Sequence, residues 1–249
     1  MNIKKIGLFL GPTLFILTRY ALDLEGLSDQ GNAVLACTLW VAVWWVTEAM
    51  PIAATSLLPV ILFPLSGALP LDATTSSFGH RYIFLYLGGF ILALSIEKWN
   101  LHKRIALNII NLIGTDVRKI ILGFMIATAF LSMWISNTAT AVMMLPIGIA
   151  IVKQMKDLKN TPEDENLIFG KALMLSIAFS ASIGGVATLI GTPPNLVFAG
   201  IVQELYGIEI SFLDWIMFGL PISLVLLYIS WVYLTRFAFK FKQTEFEEG

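Results

Sequence analysis

Residues 118–152 read RKIILGFMIATAFLSMWISNTATAVMMLPIGIAIV, two apolar arms parted by Ser136-Asn137-Thr138. Each arm has about 17 residues, or roughly 25 Å of helix, which is marginal for a bilayer crossing. Both flanks are basic: Lys98, Lys103, Arg104, Arg118 and Lys119 come before the break, and Lys153, Lys156, Lys159 and Lys171 follow it. Basic loops stay in the cytoplasm, so the stretch enters and leaves on the same side. Its polar middle carries no charge to place outside. A re-entrant helical hairpin whose tip stops inside the membrane is predicted, with two very short full spans as the alternative.

The rest of the chain agrees with a membrane setting. The hydrophobic fraction is 57% and the charged fraction 13%, against about 25% charged in a soluble domain. Mean hydropathy is +0.80. A chain of 249 residues cannot bury that much apolar surface in a core of its own, so lipid must solvate the excess. The net charge is −1, with no basic stripe carrying interleaved aromatics, which sets nucleic-acid binding aside. Cys37 is the only cysteine, which excludes an intrachain disulfide framework.

Apolar length predicts membrane spans near 6–22, 31–50, 52–66, 82–97 and 212–236, plus a broken one at 168–202. The first lacks a clear small-residue cleavage site before Asp23-Leu24-Glu25 and is read as a retained span rather than a signal peptide. All of the 16 Lys and Arg residues except Arg19 and Arg81 fall in four clusters, at Lys4-Lys5, on the two flanks of 118–152, and at Arg236, Lys240 and Lys242. The opposite loops carry Asp23, Glu25, Asp29, Asp72, Glu204, Glu209 and Asp214. Six crossings then leave both ends of the chain in the cytoplasm, which places it as a multi-pass protein of the cell (cytoplasmic) membrane. Before the hairpin, residues 100–116 alternate Leu101, Ile105, Leu107, Ile109, Ile110, Leu112 and Ile113 with Lys103, Arg104, Asn108 and Asn111. They are expected to form an amphipathic helix at the cytoplasmic surface. The fold class is therefore an all-α polytopic membrane protein: about six transmembrane helices, one re-entrant hairpin (117–152) and one broken helix.

Two polar breaks stand out between apolar arms. One is Ser132-Met-Trp-Ile-Ser136-Asn137-Thr138-Ala-Thr140, and the other runs from Ser180-Ala-Ser182-Ile-Gly184-Gly185 into Gly191-Thr192-Pro193-Pro194-Asn195. Irregular backbone survives at membrane depth only when it is buried in protein or faces a wet cavity. Unwound carbonyls, Ser and Thr hydroxyls and Asn amide oxygens suit a hard cation, and half-helix N-termini suit an anion. The structural alternative is a pair of kinks whose hydroxyls only bond back to the backbone. The two breaks together favour a binding site. Glu48, one residue from a span end, is expected to cap or bond its neighbours. Asp116 is expected to pair with Arg118, Lys119 or the next helix start. His80 and His102 lack a carboxylate or Cys cluster and are not read as metal ligands.

These residues resemble the divalent anion/sodium symporter family, whose members move dicarboxylates, citrate or sulfate. The resemblance rests on Ser136-Asn137-Thr138 within Met-Trp-Ile-Ser-Asn-Thr-Ala-Thr-Ala-Val-Met-Met-Leu-Pro, on Ser180 to Gly185 running through Gly191-Thr192-Pro193-Pro194-Asn195, and on Trp44-Trp45-Val46-Thr47-Glu48-Ala49-Met50-Pro51. It implies Na⁺ as the coupling ion, held by Ser132, Ser136, Asn137, Gly191 and Thr192, with no organic cofactor. It implies a small anionic substrate against Ser136, Asn137, Thr138, Pro193 and Asn195. It further implies an elevator mechanism, with 1–97 as a scaffold that forms a homodimer, 98–116 as the interfacial helix and 117–249 as half of the mobile transport domain. Family members carry a second, inverted repeat with its own Ser-Asn-Thr tip, and this chain has no other. It is expected to be a fragment or a half-transporter that needs a second-half chain or domain. Other readings are an uncoupled anion exchanger or channel and a non-transporting half-subunit. An intramembrane enzyme is disfavoured, because no base lies near Ser132 or Ser136 in sequence. Succinate, malate, citrate, tartrate and sulfate all stay open as the anion.

Overall fold

Glycines, prolines and capping hydroxyls divide the apolar sequence into helices, and no strand occurs among the described residues. The structure, a computed structural model, describes residues 3–22, 24–113, 116–156 and 163–241. Asp23, Lys159 and Lys242 of the charge count, and 114–115 at the end of the expected interfacial helix, lie outside them. The helices gather into two units, Met1–Ile83 and Phe84–Gly249.

In the first unit, α1 (Ile3–Ile16) ends in a wider π-type turn over Leu17–Ala21 and packs on α2 (Asp29–Thr47). Gly7 and Gly11, one turn apart, let the two backbones approach. A Cβ on Gly11 would sit 2.6 Å from Trp40 Cδ1 and 2.8 Å from Trp44 Cδ1, the small-residue contact used by helices in lipid. Ser28 starts α2 by accepting from Gly31 N–H at 3.1 Å. Glu48 ends it in the left-handed conformation (φ 48°), its own N–H turned back to the Trp44 and Trp45 carbonyls. Its carboxylate pairs with Lys4 at 3.2 Å, so the expected capping and bonding role is what its geometry provides. Arg19 is mostly buried and joins three helices. It pairs with Asp29 at 2.7 Å and donates to Ser66 O at 3.2 Å, at the end of α3 (Ile52–Ser66). A short helix not expected from the sequence, α4 (Leu71–Phe78), follows.

The helix α5 (Arg81–Lys98) leads into the second unit, followed by α6 (Leu101–Ile113), α7 (Val117–Ser132), α8 (Asn137–Lys156), α9 (Glu163–Val186), α10 (Pro193–Tyr206) and α11 (Phe212–Val232), which runs on as a π-type turn to Ala238. The core is the seam of α7, α8 and α9, filled by Ile121, Phe124, Met125, Met144, Phe169 and Leu173. Asp116 caps α7 by accepting from the Arg118 and Lys119 backbone N–H groups. Helix α6 is amphipathic as expected. Ala106 and His102 are buried and Ala106 joins the α7 core, so part of its apolar face rests on protein rather than on lipid.

Among the described residues, three segments are long and apolar enough to cross a membrane: Leu71–Lys98, Asn166–Val186 and Phe212–Ala238. Ile52–Ser66 and Asn137–Lys153 are shorter apolar helices. On α11, Met217, Phe218, Leu224, Val225 and Ile229 are all exposed, an apolar face that only lipid or another protein surface can cover. The described residues form an all-helical membrane protein.

Candidate functional site

Both polar breaks fall in the second unit, and each lies between helices where irregular backbone was expected. The first, 133–136, joins α7 to α8. Trp134 N–H and Ile135 N–H turn back to Leu131 O, and Ser136 starts α8 by accepting from Ala139 N–H at 3.3 Å. The second, 187–192, joins α9 to α10, and Pro193 opens α10 where a missing N–H costs nothing.

A helix that stops inside a membrane protein strands its last carbonyls. Around the end of α9, side chains from three helices, α7, α10 and α11, reach backbone carbonyls. Ser132 Oγ lies 2.6 Å from Ala181 O. Ser223 donates to Ile183 O at 2.9 Å, and the Trp215 indole to Val186 O at 2.9 Å. Asn195, buried, donates its carboxamide to Gly185 O at 3.0 Å and Thr188 O at 2.7 Å. Thr188 joins the breaks directly: it donates to Met133 O at 2.6 Å and accepts from Gly191 N–H at 3.0 Å. Gly184 and Gly185 let α7 and the hairpin tip come close, since a Cβ on Gly184 would overlap the Ala129 backbone and one on Gly185 the Asn137 carboxamide.

This framework brings oxygens together around Asn137. The carboxamide position that faces inward lies 2.8 Å from Ser132 Oγ, 3.1 Å from Ala181 O and 3.3 Å from Gly191 O. With the amide oxygen inward, the four oxygens share one side-chain proton, that of Ser132, which reaches either Ala181 O or Asn137 Oδ1 at 2.8 Å. With the amide rotated, its nitrogen donates to all three neighbours. In the ion-free chain the hydrogen-bond partners favour this second orientation, which satisfies both ends of the carboxamide. The first leaves a buried, proton-poor cluster of neutral oxygens. Two oxygens about 2.4 Å from a hard cation and at right angles are about 3.4 Å apart, close to these spacings. The residues present therefore fit a small hard cation such as Na⁺. The second orientation pairs the same oxygens without one.

Of the expected cation ligands, Ser132, Asn137 and Gly191 meet here. Ser136 and Thr192 stand at the starts of α8 and α10, beside the cluster in sequence, with no bond to it. Among the expected anion contacts, Thr138 and Pro193 are exposed, whereas the carboxamide nitrogen of Asn195 is turned inward to carbonyls. The start of α10 is poor in donors: Pro193 and Pro194 have no N–H, and Asn195 N–H bonds Thr192 O at 3.2 Å. The start of α8 keeps the Asn137 and Thr138 N–H groups, which have no intrahelical partner. An anion is better served there. Sequence reasoning missed the Ala181 carbonyl and the Thr188 bridge.

Thr188→Val is expected to keep the fold and weaken cation binding at the breaks about tenfold, the equivalent of one or two lost hydrogen bonds. Sodium titration of thermal stability measures it.

Comparison with known proteins gives consistent results. Residues 42–245 match the citrate transporter family, CitMHS. The chain is 51% identical over 237 residues to the sodium-dependent dicarboxylate transporter SdcS of Staphylococcus saprophyticus, and 52% identical to SdcS of Staphylococcus aureus strains USA300 and N315. Each alignment covers 94% of this chain and 46% of the relative, so the chain spans about half the length of the curated relatives it matches.

Proposed function

The chain belongs to the citrate transporter family, and from that premise we propose that it serves sodium-coupled transport of a di- or tricarboxylate across the cytoplasmic membrane. In this reading it contributes one Na⁺ site and half of the anion site, and a second chain or domain supplies the rest. Na⁺ sits among Ser132 Oγ, Asn137 Oδ1, Ala181 O and Gly191 O, with Ser136 and Thr192 at its rim. One carboxylate of the substrate meets the free N–H groups at the start of α8, with the Thr138 hydroxyl beside them. The cation next to that helix start offsets the anion's charge, so each ligand favours the other's binding. The observation that carries the proposal is the convergence of Ser132 Oγ, Ala181 O and Gly191 O within 3.3 Å of the Asn137 carboxamide, which can turn either its oxygen or its nitrogen toward them. The sodium-dependent dicarboxylate relatives support the choice of ion and of substrate class.

Thermal unfolding of the purified chain in detergent tests the cation site. Na⁺ at 100 times its Kd stabilises by about 2.7 kcal/mol if it binds only the folded state, and K⁺ at equal ionic strength gives no such shift. Equal shifts with both salts would sink the sodium assignment and favour the uncoupled exchanger or channel.

The proposal includes the topology read from charge: six crossings, cytoplasmic termini, a hairpin 117–152 that turns back within the membrane, and a scaffold 1–97 through which the complete carrier dimerises and against which the remainder moves as an elevator. In a Cys37→Ala background, single cysteines replacing Asp116 and Lys153 are expected to react with an impermeant maleimide from the cytoplasmic side only. Labelling of the two from opposite sides would rule the hairpin out.

A further inference from the structure

Trp134 and Ile190, one from each polar break, also wall a groove of about 520 Å³ that the cation cluster does not use. Its lining is mostly apolar, with Leu92, Ile96 and Leu101 beside the two break residues. Gly89 lets Ile190 close against α5: a Cβ at Gly89 would lie 3.2 Å from Ile190 Cδ1. Asn100 adopts the left-handed conformation (φ 51°), which turns the chain sharply from α5 into α6, and Trp99 and Arg104 both line the groove. Trp99 is 77% exposed. Arg104 is exposed and its guanidinium has no hydrogen-bond or ion-pair partner among the described residues. Ser95, also in the lining, has its hydroxyl committed to Ile91 O. Arg104 is thus the one charged group in an otherwise apolar lining.

We infer that this groove binds one anionic phospholipid, with an acyl chain along Leu92, Ile96, Trp134 and Ile190 and the phosphate on Arg104. The volume lies within the ordinary range for small-molecule sites. An unpartnered guanidinium presents a fork of donors that matches phosphate oxygens. Tryptophan at headgroup level is the common interfacial anchor, and basic pockets between membrane helices take anionic headgroups. Lys98 and Lys103 precede Arg104 in sequence and add positive field, with Glu97 the one nearby acid. A dicarboxylate would meet the arginine but leave the apolar walls uncovered, so a lipid is the better match. Ile190 directly precedes Gly191, and Trp134 lies two residues before Ser136. A lipid in the groove therefore touches the walls of both breaks.

The inference concerns binding alone and is read without transport. The purified chain is equilibrated in mixed micelles containing dioleoyl phosphatidylglycerol and dioleoyl phosphatidylcholine, and retained lipid is counted by native mass spectrometry. One phosphatidylglycerol per chain is expected, favoured over phosphatidylcholine at least tenfold. Arg104→Gln, a change at an exposed side chain, should abolish the preference. Lys103→Gln, next to Arg104 but outside the groove, should leave it intact. Ser95→Phe, which fills the groove, should remove the retained lipid of either kind. An equal count of the two lipids on the unmodified chain overturns the inference. So does a preference that survives Arg104→Gln, or one that Lys103→Gln reduces as much, which would mark diffuse surface charge.

Discussion

Sodium-dependent dicarboxylate uptake by a full-length carrier that contains this segment is expected to fall at least about 100-fold when Asn137 is replaced by alanine. The substitution acts on both states of the cluster. With the ion bound, it deletes the amide oxygen that faces Ser132, Ala181 and Gly191. Without the ion, it deletes the amide protons that pair the same three oxygens. Ser132 retains one proton for its own bond to Ala181 O, so Gly191 O loses a donor altogether. A buried acceptor left unpaired costs about 1–3 kcal/mol, and each 1.4 kcal/mol is a factor of ten in affinity. Together with the lost ligand, this gives the expected factor. Asn137→Asp separates the two roles. It keeps an oxygen toward the cation and removes the amide donors, so it should retain sodium-induced stabilisation while the sodium-free form unfolds at lower temperature. Wild-type uptake by the alanine variant would remove Asn137 from the site.

Asn137 was legible in the sequence because side chains carry their chemistry in their names. Ser136-Asn137-Thr138 interrupts an apolar run, and Gly191 with Pro193 and Pro194 interrupts another. Prolines cannot extend a helix and glycine permits close approach, so both breaks lie where expected. The amphipathic α6 was legible through its periodicity, and the Asp116 cap through its place before an apolar run. Two parts of the site were not. The Ala181 carbonyl belongs to the backbone, and every residue type offers one. Only the packing of α7 on α9 selects it, by placing Ser132 against it. Thr188 lies among small apolar residues and resembles filler until its two hydrogen bonds join the breaks. The short helix α4 was hidden for another reason. Its Thr-Thr-Ser-Ser run favours caps and turns, yet Thr74, Thr75 and Ser77 satisfy their hydroxyls on the carbonyls of Pro70, Leu71 and Ala73, one turn earlier. For the anion contacts, Pro193-Pro194 marks a helix start and also strips it of N–H donors. The same signal therefore locates the break and weakens it as an anion site.

Adjacent glycines at the end of α9 should fail in opposite ways. A methyl group on Gly184 meets the Ala129 backbone, with Cα at 2.5 Å and the carbonyl carbon at 2.7 Å. No rotamer relieves a backbone, so α7 and α9 must part, and the Ser132 contact to Ala181 O parts with them. Overpacking of this kind costs roughly 1–3 kcal/mol and occasionally more, and for a chain of this size that corresponds to a melting temperature lower by about 10 °C at the upper end. Gly184→Ala is therefore expected to show a large loss of folded protein with or without Na⁺, read by thermal unfolding in detergent. A methyl group on Gly185 meets instead the carboxamide of Asn137, whose Cγ lies 2.9 Å away. That side chain can rotate out of the way, so Gly185→Ala should fold. Rotation takes the whole carboxamide away from Ala181 and Gly191, so the sodium-induced shift should be lost, and the sodium-free melting temperature should fall only by the lost amide hydrogen bonds, less than in Gly184→Ala. A Gly185→Ala protein that keeps the full sodium shift would mean that Asn137 is not held against Gly185 when the ion binds. The oxygen cluster would then have to be rebuilt around a different rotamer. One glycine is needed for two helices to touch, and its neighbour for the side chain between them to face an ion.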